Sequence, residues 1–118
     1  MEKLIVDLPP SINRGWAAVG PQRFVHTKEY SDYINDTAWV VKAYCMKNRI
    51  DPIAWYRHVD MDWYLDDVRY DSHNGKKALC DALERGGLFK NDRYIMDRTQ
   101  SVQMGVKDAR VEITVAEA

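Results

Sequence analysis

The chain has 118 residues, enough for one domain with a real core, and its 17 basic residues against 18 acidic ones leave a formal charge of −1. That balance excludes a global basic field, so any nucleic-acid contact must rest on local patches. There is no Cys-x-x-Cys pair for structural zinc, no stretch long enough to span a membrane and no apolar run resembling a signal peptide. The expectation is a cytoplasmic protein whose Cys45 and Cys80 are buried, reduced thiols.

In chain order, Lys3 to Leu8 reads as a short strand ended by Pro9-Pro10. Ser11 to His26 reads as a loop rich in Gly, Pro and basic groups, and loops of that length in small domains are often functional. Thr27 caps a helix running to about Asn48, with Tyr30, Tyr33, Ile34, Thr37, Val41, Tyr44 and Cys45 on its buried face. Asp51-Pro52 ends the connection that follows. Ile53 to Tyr64 alternates as a strand, with Trp55, Val59, Met61 and Trp63 on one side and Tyr56, His58, Asp60 and Asp62 on the other. Residues 73 to 85 predict a second helix: Leu79, Ala82 and Leu83, with Ala78 beside them, form an apolar stripe. Asp71, Ser72 or Asn74 serves as its cap and Gly86-Gly87 as its stop. Tyr94 to Met104 and Ala109 to Val115 read as a hairpin around Gly105 to Asp108. The order β-α-β-α-β-β predicts a small single α+β domain over residues 1–118, with a mixed sheet and two main helices.

The residues that carry chemistry gather around the second helix. Asp71, Ser72, His73, Asn74 and Lys77 bring a carboxylate, an imidazole, an amide and an ammonium group into seven residues. That helix rises about 20 Å, and the extended segment from Gly87 to Asp92 also spans roughly 20 Å, so Asp92 can return beside Asp71. His73, Lys77 and Asp81 follow at i, i+4 and i+8 and share one polar face. Hard divalent cations take oxygen ligands, often only one or two carboxylates from the protein, and phosphodiester cleavage needs positive charge at the transition state. Taken alone, Asp71 and Asp92 read as a cap and a turn residue, and Lys76 and Lys77 as surface lysines. Asp81 reads as an ion-pair partner of Lys77. Arg14, Arg23, His26 and Lys28 form a loose basic cluster, either a solvated loop or a set of phosphate contacts.

Three blocks then carry a family resemblance: Leu8-Pro9-Pro10-Ser11-Ile12-Asn13-Arg14, the run from Asp71 to Leu83, and Gly87-Leu88-Phe89-Lys90-Asn91-Asp92. In this order and spacing, in so short a chain, they resemble the RusA family of Holliday-junction resolvases, small endonucleases widespread in phages and prophages. The family's metal site uses an Asp-x-Asp-Asn element, a Lys in the following helix and an Asp after it. Asp71, Asn74, Lys77 and Asp92 stand at those places, while His73 stands where the second Asp would be. The resemblance thus implies Asp71 and Asp92 as metal ligands, Asn74 as support and Lys77 as a catalytic group. His73 is either a ligand or a bystander on a solvated face. Imidazole is a softer donor than carboxylate, which favours Mn²⁺ over Mg²⁺. A second departure is the acidic Asp66-Asp67 before the site, where the family tends to be basic.

The implied activity is metal-dependent cutting of four-way DNA junctions by a homodimer, since two symmetric nicks call for two equivalent sites. Phosphate contacts are expected from Arg14, Arg23, Lys28 and Lys76. The rival reading is a non-catalytic accessory protein for replication, or a nuclease of broader branched-DNA preference.

Overall fold

The computed structural model describes residues 2–10, 16–18, 24–26, 28–66 and 72–117, with backbone alone at 16–18, 24–26 and 72–74. Strand β1 is Leu4–Val6, and short strands β2 (Trp16–Ala18) and β3 (Phe24–His26) follow. Helix α1 is Lys28–Asn48, β4 is Arg57–Leu65 and α2 is Ser72–Arg85. A 3-10 turn at Asp92–Tyr94 leads into β5 (Ile95–Met104), and β6 is Arg110–Val115. The expected α+β order is present, with one addition. Within the segment read as a loop, β2 and β3 pair antiparallel as a separate two-stranded sheet.

The main sheet has the order β1-β6-β4-β5. Residues 94 to 115 therefore do not form a hairpin: β4 lies between β5 and β6, parallel to the first and antiparallel to the second. The cause is burial. Along β4, Val59, Met61, Trp63 and Leu65 are all buried, and such a strand gains most by pairing on both edges. The run β4-α2-β5 is a βαβ unit, in which the helix supplies the long crossover that parallel neighbours require. The return from β5 crosses the end of β4, where the Val106 amide donates to the Leu65 carbonyl at 3.1 Å.

Rows of side chains run across the sheet. Val6, Val111 and Trp63 stand side by side, as do Leu4, Ile113 and Met61, and with Leu79 and Leu83 of α2 and Val41 of α1 they form one core. The β4–β5 register shifts between Met61 and Asp62, where Gln100 is an extra residue on β5. Before the shift, Asp97 of β5 pairs with Val59 and so shares the face that the helices cover. The strand expected from Ile53 begins at Arg57, and Trp55, expected on the same side as Val59, Met61 and Trp63, is 69% exposed while those three are buried.

The helices meet through small residues. Ala78 and Ala82 of α2 pack on Tyr30 and Ile34 of α1. Helix α2 stops at a Schellman motif: the Leu88 amide donates to the Leu83 carbonyl and the Gly87 amide to the Glu84 carbonyl, both at 3.0 Å, with Gly87 at φ +88°. Among the described residues, no helix is long and apolar enough to cross a membrane.

Candidate active site

The charged groups gather where α2 meets the 3-10 turn ahead of β5. Lys77 lies on the polar face of α2, and its ammonium donates to Asp81 Oδ1 at 3.0 Å and to Asp92 Oδ2 at 3.3 Å. The first contact is an i,i+4 pair on the helix; the second joins the helix to the 3-10 turn that opens the return to the sheet. Asp92 thus comes back to the helix, as its distance along the chain allows. Its own amide donates to Glu84 Oε1 at 2.9 Å, and Asn91 Oδ1 accepts from the Arg93 amide at 3.0 Å. Two local bonds therefore hold the turn that presents the Asp92 carboxylate.

The electrostatics follow from these contacts. The hydrogen bond to Asp81 holds the Lys77 pKa above the usual lysine range. The Asp81 charge and the Asp92 bond and charge add to that rise, while partial burial opposes it. Lys77 is thus a firmly protonated ammonium. On its other side, Asp81 meets the Tyr30 hydroxyl, which burial first and then Asp81 push up to about 12. The Cys80 thiol is also pushed up to about 12, chiefly by burial and then by the charges of Asp97, Asp92 and Asp81. One thiol thus feels three carboxylates, against which the Lys77 charge acts in the opposite direction.

Sequence reasoning missed Asp97 and Glu84 and gave Lys76 a different place. Lys76 was read as an ordinary surface lysine or a phosphate contact, but its side chain is 17% exposed and pairs with Asp97 at 3.2 Å. This pair ties α2 to β5. Asp97 could have been found as a carboxylate two residues after Ile95 on the covered face of a strand. Glu84, which positions the Asp92 amide, carried no signal in the sequence. Lys28 opens α1 and pairs with Asp32 at 3.2 Å.

Asp71, Arg14 and Arg23 lie outside the described residues, and so do the side chains of His73 and Asn74, whose backbone forms the first turn of α2. Among the described residues, no three His, Cys, Asp or Glu side chains are placed to hold a metal ion. Asp92 supplies one carboxylate of the expected set. Its Oδ2 faces Lys77, and no donor is seen at its Oδ1 among the described residues.

The chain matches the family model for the endodeoxyribonuclease RusA over residues 7–116. No curated protein matches it. The match spans nearly the whole chain, and the chain belongs to the RusA family, which implies an endonuclease that resolves Holliday junctions.

Proposed function

We propose that this member of the RusA family is a divalent-metal-dependent endonuclease that cuts four-way DNA junctions as a homodimer. The observation that carries the reading is the Lys77 ammonium held between Asp81 and Asp92 at 3.0 and 3.3 Å. Asp71 and Asp92, with His73 or Asn74, would hold a Mg²⁺ or Mn²⁺ ion, which supplies Lewis acidity and positive charge at the scissile phosphate. Lys77 sets a fixed positive charge next to the Asp92 carboxylate, where negative charge develops on the phosphoryl oxygens. Asp81 fixes the direction of that ammonium, and Glu84 fixes the backbone that carries Asp92. Preorganised in this way, the charge needs little rearrangement during the reaction.

The homodimer is supported by the outer face of α1, where Trp39 and Met46 are 70% and 72% exposed beside a half-exposed Val40. Large aromatic and Met side chains of this kind favour interfaces. A panel of labelled four-way junctions, forks, flaps and linear duplexes, each with Mg²⁺ and with Mn²⁺, tests the reading. Paired symmetric nicks in the junction support it. Cutting of forks and flaps alone makes the protein a broader branched-DNA nuclease, and binding without cutting makes it an accessory protein.

A further inference from the structure

Next to Asp92 along the chain, three aromatic rings and a guanidinium stand together. Trp55 is 69% and Tyr56 47% exposed. Their ring centroids lie 5.3 Å apart, edge to face, and Tyr94 lies 5.3 Å from Tyr56 and 6.3 Å from Trp55. Arg93 sits over the Tyr94 ring, its guanidinium carbon 4.9 Å from the centroid, and donates to the Tyr94 hydroxyl at 2.8 Å. Among the described residues, no carboxylate pairs with Arg93.

The cluster is built, not incidental. The Ile53 amide donates to the Leu88 carbonyl and the Lys90 amide to the Ile53 carbonyl, both at 2.9 Å. This bridge locks the segment carrying Trp55 and Tyr56 to the segment carrying Arg93 and Tyr94. Tyr94 follows Asp92 by two residues, a span of about 7 Å at most. Exposing an indole to water forgoes its burial energy, so a Trp rigidly presented next to a reacting centre calls for an occupant.

We propose that Trp55, Tyr56 and Tyr94, with Arg93, form a platform on which an unpaired base of the DNA strand stacks while its neighbouring phosphate meets Arg93. The inference rests on the nuclease reading. Three features favour DNA over a second copy of the chain. Among the described residues no carboxylate meets the cation among the rings, which leaves it to a phosphate. Trp55 and Tyr56 are exposed on the segment ahead of β4, and two of the three rings carry hydroxyls, unlike the apolar helix face of Trp39 and Met46. The platform also shares the 3-10 turn of Asp92, which places it within a few residues of the proposed cutting site. Stacking on aromatic rings is tolerant of sequence, which suits a branch point whose bases vary.

The test is fluorescence anisotropy of a labelled four-way junction and a labelled single strand, without divalent metal, over a salt series. Trp55→Ala is expected to weaken both by about tenfold, Trp55→Phe to retain most of the affinity, and Arg93→Gln to lower the salt slope by about one. Unchanged affinity for Trp55→Ala together with an unchanged slope for Arg93→Gln overturns the platform and leaves the nuclease reading standing. A fall of Trp55→Ala from dimer to monomer mass in light scattering also overturns it, assigning the rings to a subunit interface. If the wild-type chain binds neither DNA, the nuclease reading itself fails.

Discussion

Two adjacent glycines end α2, and substituting each by Ala separates two physical effects. At Gly86 an added Cβ would stand 2.5 Å from Val41 Cβ, 2.6 Å from Val41 Cγ1 and 2.7 Å from the Ala38 carbonyl oxygen. All three are near contacts to α1, two of them to a branched side chain and one to backbone, so neither helix can yield without moving. At Gly87 nothing lies within 4 Å of the added atom, but φ is +88°. Gly86→Ala is therefore an overpacking change, costing about 1 to 3 kcal/mol. Gly87→Ala costs only the left-handed backbone, about 1 kcal/mol. For 118 residues the unfolding entropy is about 0.25 kcal/mol/K. The melting point should thus fall by about 4 to 12 °C for Gly86→Ala and about 4 °C for Gly87→Ala. Thermal unfolding followed by far-ultraviolet circular dichroism measures both. Were Gly86 in open space, Ala would stabilise the helix end by roughly 0.5 to 1 kcal/mol. An unchanged or raised melting point for Gly86→Ala would therefore refute the close contact of α1 and α2.

Lys77→Ala should lower the cleavage rate by about 100-fold or more while junction affinity changes by less than about threefold, since its charge matters most in the transition state. Equal losses of rate and affinity would make Lys77 a general phosphate contact. Neither thiol should react with iodoacetamide at pH 8 in the folded protein, because burial pushes the Cys45 thiol up and the Cys80 thiol up to about 12; mass spectrometry before and after unfolding reads this out. The Arg110 hydrogen bond at 2.8 Å, aided by Lys3, holds the Glu112 carboxyl below its usual range. That stability is present above the unfolded pKa of about 4.3 and is lost as pH falls through the lower folded value. The melting-point advantage of wild type over Glu112→Gln should accordingly vanish toward pH 3; an advantage that persists there would deny the ion pair its role.

The helices and the Lys77 environment were legible because their signals are local. Leu79, Ala82 and Leu83 repeat at helical spacing, and Asp81 lies four residues from Lys77, so propensity and geometry agree within one element. Sheet order was not legible in that way. Strands β5 and β6 are close in sequence and separated by a Gly-containing turn, which reads as a hairpin, but the buried alternation of β4 draws both to its own edges. The pattern strand, helix, strand over residues 57 to 104 did carry the signature of a parallel pair. The Lys76–Asp97 pair follows from that parallel neighbour, and so could not be seen without it. Trp55 misled for a related reason: alternation places it with Val59, Met61 and Trp63, but the chain ahead of Arg57 leaves the sheet to bridge at Phe89, and the indole is left outside.

The central claim is that Asp92, held beside Lys77, is part of a metal-dependent DNA-cutting site. The most direct measurement is cleavage of a labelled four-way junction by wild type and Asp92→Asn, with Mg²⁺, with Mn²⁺ and with neither, alongside junction binding. A neutral amide is a far poorer cation ligand than a carboxylate, so Asp92→Asn should bind the junction and fail to nick it, and wild type should nick only with a divalent ion. Nicking by wild type without any divalent ion, or undiminished nicking by Asp92→Asn, would contradict the account.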